Sequence, residues 1–223
     1  MKPCILIPSY NEERSIEPLV RLLKSMNHEV VVVDDGSWDN TKDVAQRSGA
    51  RVLSHEKNMG KGASIRSGIE FLLKDTPCDT VIIMDADGQH SPKDIQKLTS
   101  FAEQFGSDLV VGNRMDRTKN MPLIRFLTNK LMSLLVSAIC RQWIPDTQCG
   151  FRLIKRAVLT RLKLTSNNYE IESEMIIKAS RNKFKIDSIP VETIYKGELS
   201  RISPAKDTWR FLVFLFRTTL YKN

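Results

Sequence analysis

The chain has 223 residues, 41% of them hydrophobic, with 34 Lys and Arg against 26 Asp and Glu and a formal net charge of +8. That length accommodates one large α/β domain with a real core, or two small domains, and the mixed composition excludes an extended disordered tract. The positive balance favours polyanionic company (nucleic acid, an anionic membrane face or a phosphorylated small molecule) and by itself selects none of them.

The four cysteines, Cys4, Cys78, Cys140 and Cys149, form no C-x-x-C pair and only three histidines accompany them, which argues against a structural zinc site. Scattered thiols, and a first strand that begins almost at once with no signal peptide, lead us to expect a reducing, cytoplasmic setting. No apolar run reaches the roughly 18 to 20 residues that a transmembrane helix needs.

In chain order, CILI, EVVVVD, ARVLS, DTVIIMD and SDLVVG predict five strands beginning near residues 4, 29, 50, 79 and 107. Between them, EERSIEPLVRLLKSM and GKGASIRSGIEFLLK carry apolar residues at three- and four-residue steps and predict helices. This alternation implies βαβ units and a mostly parallel sheet, and the nearly all-apolar strands fit a sheet covered on both faces. After Arg114 the rhythm changes. MDRTKNMP reads as a polar connector, followed by a helix from Pro122 to about Trp143. IPDTQCGFRLI then reads as a loop feeding a short strand, YEIESEMIIKASR as a helix, and Phe184 to Pro190 as a strand. A last helix is expected over 204–221. No linker divides the chain, so 1–223 is expected to form one domain.

In open α/β sheets ligands bind beyond the carboxyl ends of the parallel strands. Three motifs fall there: PSYNEE from Pro8 to Glu13, DDGSWDNT from Asp34 to Thr41, and DADGQH from Asp85 to His90. The first strand-to-helix turn has no glycine, which argues against a dinucleotide fingerprint. NMGKGAS looks like a phosphate loop, but Gly62 stands where Ser or Thr is required and His55 where the leading glycine belongs. What remains is a cleft walled by acids. Asp34 and Asp35 are suited to accept hydrogen bonds from a base or ribose. Asp85 and Asp87, with Gln89, offer hard oxygen ligands for one Mg²⁺ or Mn²⁺, and a divalent cation would relieve the repulsion between the two carboxylates. Plainer accounts stand beside these: D-x-D as a solvated loop, Lys61 and Gly62 as a helix start, and Asp34-Asp35-Gly36-Ser37 as a capped turn.

PSYNEE, VVVDDGSWDNT, EKNMGKGASIRSG and MDADGQH, followed by VVGNR, DTQCGFRLI and YEIESEM, occur in an order that resembles glycosyltransferase family 2, the inverting GT-A enzymes. The likeness spans nearly the whole chain and is strongest toward the polyprenyl-phosphate branch, similar to dolichyl-phosphate mannose and glucose synthases. It implies a Rossmann-like α/β sheet with helices on both faces. It also implies transfer of a sugar from a nucleoside diphosphate of the UDP-glucose or GDP-mannose type to a polyprenyl or dolichyl phosphate, with Mg²⁺ or Mn²⁺. By this resemblance Pro8, Tyr10, Asn11, Glu12, Asp34, Asp35 and Lys61 hold the donor, and Asp85, Asp87 and Gln89 form the metal and diphosphate site. Arg114 matches the arginine near the reacting centre, Arg125 and Asn129 the acceptor-phosphate residues, and Lys178 and Arg201 basic residues closing over the donor. The DTQCGF version around Asp146 is similar to the glucosyl-type branch.

Arg125, Asn129 and Ser133 recur at four-residue steps as a polar stripe on an otherwise apolar helix. Either this is a core helix or, with 204–221, it lies in a membrane interface and offers an arginine to a lipid phosphate. The second account makes the protein peripheral on the cytoplasmic face of a membrane, on its own or with an anchoring protein partner. An acceptor phosphate is already anionic and needs no protein base; a hydroxyl acceptor would need one, and Asp146 is the candidate. Two readings of other classes also follow from the residues. A phosphohydrolase of the haloacid-dehalogenase type places D-x-D after a strand, but near the chain start. A nucleic-acid-binding module needs a basic stripe with interleaved aromatics, whereas here the cleft motifs are acidic, so no nucleic-acid partner is expected.

Overall fold

The computed structural model of the protein describes residues 3–115, 123–194, 210–216 and 218, with the side chain of Arg125 outside that description. The expected final helix is therefore described only over 210–216 and at 218, and Arg201 lies outside the described residues.

Five βα units open the chain: β1 (Cys4–Ser9), α1 (Glu13–Ser25), β2 (Glu29–Asp34), α2 (Thr41–Arg47), β3 (Arg51–Ser54), α3 (Lys61–Asp75), β4 (Thr80–Ile83), α4 (Asp94–Phe105), β5 (Leu109–Asn113) and α5 (Leu123–Cys140). Then come β6 (Arg152–Lys155), the short α6 (Arg156–Leu159), α7 (Glu170–Arg181) and β7 (Ile186–Pro190). The strands form one sheet in the order β3-β2-β1-β4-β6-β5-β7. All pairings are parallel except that β6 runs antiparallel to both β4 and β5. This is the mostly parallel, helix-covered α/β sheet expected, with one reversed strand that the sequence pattern did not reveal.

The continuous apolar runs of β1, β2 and β4 are buried along almost their whole length because helices pack on both faces. In α1 the buried Ile16, Leu19, Val20 and Leu23 repeat at helical spacing, while Glu13 in its first turn and Lys24 in its last suit the helix dipole. The long helix after the connector ends at Cys140, and Trp143 lies past it in the following turn.

Cys4 on β1 and Cys78 just before β4 are paired, with Cα atoms 6.0 Å apart, within the span of a disulfide. They are 74 residues apart in the chain, so spacing could not reveal the pairing. Cys140 and Cys149 are free.

Candidate active site

The site lies along the carboxyl ends of β1, β2, β4 and β5. Ser9 and Asp34 are register partners at the ends of β1 and β2. Ser9 Oγ and Asp34 Oδ1 are both buried, and neither has a hydrogen-bond partner among the described residues. Buried polar atoms are nearly always paired, so two orphans side by side call for a partner from outside the chain. Pro8 is buried on β1, and Tyr10 is half-buried in the turn beyond it.

That turn is laced to the one after β2. Asn11 donates its N–H to Ser37 Oγ at 2.9 Å and accepts from Trp38 N–H through Oδ1 at 3.0 Å, in a left-handed conformation (φ 53°) that asparagine tolerates. Glu12 N–H donates to Thr41 Oγ1 at 2.7 Å, and its carboxylate accepts from Ser15 Oγ at 2.7 Å. These two side chains thus build the loop that edges the cleft.

Asp35, expected at the donor, spends its carboxylate on the protein. Oδ1 faces His55 Nδ1 at 2.7 Å and accepts from Met59 N–H at 3.0 Å, and Oδ2 accepts from Gly60 N–H at 2.8 Å. It anchors the turn that launches α3. Gly60 has φ 98°, and a Cβ there would come within 2.4 Å of Asn167 O, so both its backbone and its neighbours require glycine.

Lys61, the first residue of α3, reaches the middle of the site. Its Nζ lies 2.5 Å from Asp85 Oδ1 and 2.6 Å from Glu172 Oε1 on α7. Burial pulls its pKa down, but Asp85 and Glu172 outweigh that and hold the ammonium well above the ordinary lysine range. Conversely, burial pushes the Asp85 carboxyl up, while Lys61 and then His90 drive it well below the usual carboxylate range. His90 Nε2 stands 3.2 Å from Asp85 Oδ2, and its ring stacks on Phe151 at 5.1 Å. The loop is tied on its far side by Ile194 N–H donating to Gln89 O at 2.9 Å.

Below Asp85 runs the backbone of Gly150, where a Cβ would meet both carboxylate oxygens within 2.7 Å. Arg152, wholly buried on β6, fixes this floor. It donates to Cys149 O at 2.7 and 3.0 Å and to Glu172 O at 2.6 Å. With only carbonyls accepting from it, burial lowers its pKa.

Asp87 is half-buried, and its Oδ1 accepts the N–H of Gln89 at 2.9 Å. Among the described residues no three His, Cys, Asp or Glu side chains form a ready-made metal cage. The donor set still fits Mg²⁺ or Mn²⁺ of the kind that takes one or two carboxylates and completes its shell from substrate phosphates. Asp85, Asp87 and Gln89 are the residues that would hold it.

Arg114, at the end of β5, makes a bidentate pair with Asp146. Nε lies 2.7 Å from Oδ2, Nη2 lies 3.0 Å from Oδ1, and the Arg114 N–H donates to Oδ2 at 3.1 Å. Asp146, the base expected for a hydroxyl acceptor, is wholly buried, with both oxygens engaged by Arg114. Its loop is pinned to α5, where Ser133 Oγ accepts from Thr147 N–H at 3.0 Å and Ser137 Oγ from Ile144 N–H at 2.9 Å. Asn129 and Ser133 of that stripe are therefore on the inward face of α5, both buried.

Lys178, expected over the donor, lies on α7. It pairs with Glu174 at 2.7 Å and donates to Lys163 O. Six residues beyond Glu172, it is roughly 9 Å along α7 and about 240° around it, on another face of the helix. The structure places Asp34, Asp85, Asp87 and Arg114 at or just beyond strand ends, with Lys61 paired to Asp85. Sequence reasoning missed Ser9, His90, Gly150, Arg152 and Glu172. His90, Gly150, Arg152 and Glu172 lie in DADGQH, DTQCGFRLI and YEIESEM, so the motifs carried the signal without the partners.

Away from the cleft, Leu123, Ile124, Leu127, Leu131 and Leu134 leave one face of α5 more than half exposed, and Trp143 and Phe216 are similarly bare. Among the described residues no helix is long and apolar enough to cross a membrane.

Comparison with known proteins accords with this geometry. The family described as Glycosyl transferase family 2 matches residues 4–163. The UDP-N-acetylglucosamine–dolichyl-phosphate N-acetylglucosaminyltransferase of Methanococcus voltae is 32% identical, over 86% of this chain and 85% of that protein. The dolichol-phosphate mannosyltransferase of Pyrococcus furiosus is 30% identical over 82% of this chain, which spans 54% of that longer protein. In fold, the chain is similar to glucosyl-3-phosphoglycerate synthase from Mycobacterium tuberculosis in complex with Mn²⁺, uridine diphosphate and phosphoglyceric acid. The TM-score is 0.75 at 21% identity, covering 98% of this chain and 77% of that one.

Proposed function

Since the chain belongs to glycosyl transferase family 2 and is a glycosyltransferase, we propose that it transfers a sugar from a nucleoside-diphosphate sugar of the UDP-glucose or GDP-mannose type to a polyprenyl or dolichyl phosphate, inverting the anomeric carbon. Membership of this family displaces the phosphohydrolase and nucleic-acid readings. The observation that carries the proposal is the row of strand-end groups: two unpartnered polar atoms on Ser9 and Asp34, then the Lys61–Asp85 pair.

In this reading the base or ribose meets Ser9 and Asp34, and the diphosphate lies over Lys61, Asp85 and Asp87. Asp85, Asp87 and Gln89 would hold magnesium or manganese, which when bound would supply Lewis-acid neutralisation of the diphosphate. An oxygen of the acceptor phosphate attacks the anomeric carbon while the bond to the diphosphate oxygen breaks, and the nucleoside diphosphate departs with that electron pair. The phosphate nucleophile is anionic near neutral pH, so the chain's task is positioning and charge stabilisation. Lys61 offers the ammonium on the leaving-group side. Arg114, held rigid by Asp146, is a buried cation at the next strand end, toward the acceptor helix α5 with Arg125 and Asn129.

We assign the exposed apolar face of α5 to a membrane interface, where the acceptor lipid resides, which makes this a peripheral protein of the cytoplasmic face. We also propose that residues 1–223 act as one domain. A donor screen with UDP- and GDP-sugars, Mg²⁺ or Mn²⁺ and a short polyprenyl phosphate tests the proposal. The expected product is a polyprenyl-phosphate sugar. Transfer only to a soluble hydroxyl or to phosphoglycerate would overturn the lipid acceptor and leave the enzyme class standing.

A further inference from the structure

The Asp85 carboxylate, which the proposed reaction needs for a divalent cation, already has a cation on it. Lys61 Nζ sits 2.5 Å from Oδ1, and the second oxygen faces His90 at 3.2 Å. This ammonium is no loose side chain that has swung into a gap. The backbone on either side of Lys61 is fixed by Gly60 N–H on Asp35 and by Ala63 N–H on Asn167 O, and its Nζ lies 5.7 Å from the centre of the Tyr169 ring. Glu172 holds it from the other side at 2.6 Å and is itself positioned by Arg152 on its carbonyl. Two cations sharing one carboxylate repel, and in a buried site that repulsion is poorly screened.

We propose that Lys61 is a resident counter-ion of Asp85, tethered by Glu172, that keeps the donor-free protein from taking up a divalent cation until a nucleoside diphosphate arrives. The diphosphate gives the ammonium a second anion to face, Asp85 is released, and metal and donor enter together. Glu172 is then a positioning residue: it keeps Lys61 within reach of both partners. The inference rests on the donor and metal reading above, and its consequence is a binding order.

The test is Mn²⁺ binding followed by the loss of the free-ion electron paramagnetic resonance signal, without nucleotide, so that activity is not the readout. The double variant Lys61→Met/Glu172→Gln removes one positive and one negative charge, leaving the net charge of the cluster unchanged while freeing Asp85. It is expected to bind Mn²⁺ about tenfold more tightly than the natural protein, or better. Adding Asp85→Asn is expected to abolish the gain. Should the double variant fail to fold by circular dichroism, Lys61→Gln carries the same expectation. Equal or weaker donor-free affinity in the variants, including no binding to any of them, overturns the inference. Repeating the titration with UDP or GDP tells whether the wider reading falls with it. Uptake of Mn²⁺ and nucleotide together by the natural protein sustains that reading even when the variants overturn the role of Lys61. Uptake with neither nucleotide overturns both.

Discussion

The Asp85 carboxylate rests on the bare backbone of Gly150: a Cβ at that glycine would stand 2.6 Å from Oδ2 and 2.7 Å from Oδ1. Because Lys61 and His90 hold the same carboxylate from other sides, it cannot simply rotate away. Gly150→Ala is therefore expected to displace Asp85. A shift of about 1 Å at a reacting centre costs on the order of a hundredfold in rate. The expected outcome is a drop of that size in kcat with the circular dichroism spectrum retained. Unchanged kcat would mean that the position of Asp85 does not matter to the reaction.

Asp87 is half-buried and engaged through Oδ1 with the Gln89 N–H, and it is not part of the Lys61 ion pair. Asp87→Ala is expected to lower transfer by about a hundredfold or more, in line with loss of charge stabilisation at a leaving group, with little effect on folding. Chelation with EDTA is expected to stop transfer in the natural protein, and added Mg²⁺ or Mn²⁺ to restore it. Transfer that survives chelation would remove the metal from the mechanism.

The Arg114–Asp146 pair sets an acid limit on stability. Burial raises the Asp146 carboxyl, but Arg114 and the backbone N–H groups of Arg114 and Gln148 outweigh it, so it titrates below its ordinary range. A depressed native value means that the pair stabilises the fold fully above the unfolded-state pKa of about 3.9. That contribution is lost as pH falls through the native value. Asp146→Asn strands Arg114 and is expected to cost about 3–5 kcal/mol at pH 7. Urea unfolding of the two proteins at pH 7 and again below pH 4 checks the sign: the gap is expected to narrow in acid.

Leu127 and Leu131 are more than half exposed on the outer face of α5, so replacing them removes little native packing. Leu127→Glu and Leu131→Glu are expected to change stability by less than about 0.5 kcal/mol. Each leucine buried in a membrane would be worth roughly 1.5–3 kcal/mol, so each substitution is expected to weaken vesicle binding by about tenfold or more. Co-sedimentation with phosphatidylcholine–phosphatidylglycerol vesicles reads this directly; undiminished binding would move the membrane contact elsewhere.

Most of the sheet was legible because a strand covered on both faces must be apolar throughout: EVVVVD and VIIM announce themselves. The acids that follow were legible because charges have no reason to cluster at such ends without a ligand. The direction of β6 was not, since RLIK reads the same along either sense of the sheet. Nor was the Lys61–Glu172 contact, made across 111 residues of chain, or the commitment of Asp35 to the α3 turn. A lone aspartate in a loop carries no mark of its partner, so the pairing of Asp146 with Arg114, 32 residues away, was not legible either. Lys178 was placed by family likeness, which carried no sign of its pairing with Glu174 one helical turn away.

The reversed strand β6 also has a kinetic consequence. A chain made from its N-terminus can pair β1, β2, β3 and β4 with one another, yet β4 keeps an open edge until residues 152–155 arrive to fill it. Exposed edges invite pairing with other chains, and pairings distant in sequence form slowly. The carboxylate of Asp85 gains its Gly150 floor only when β6 docks, and Lys61 gains its Glu172 partner later still. During synthesis, the centre of the cleft is completed only after both of these later segments have been made.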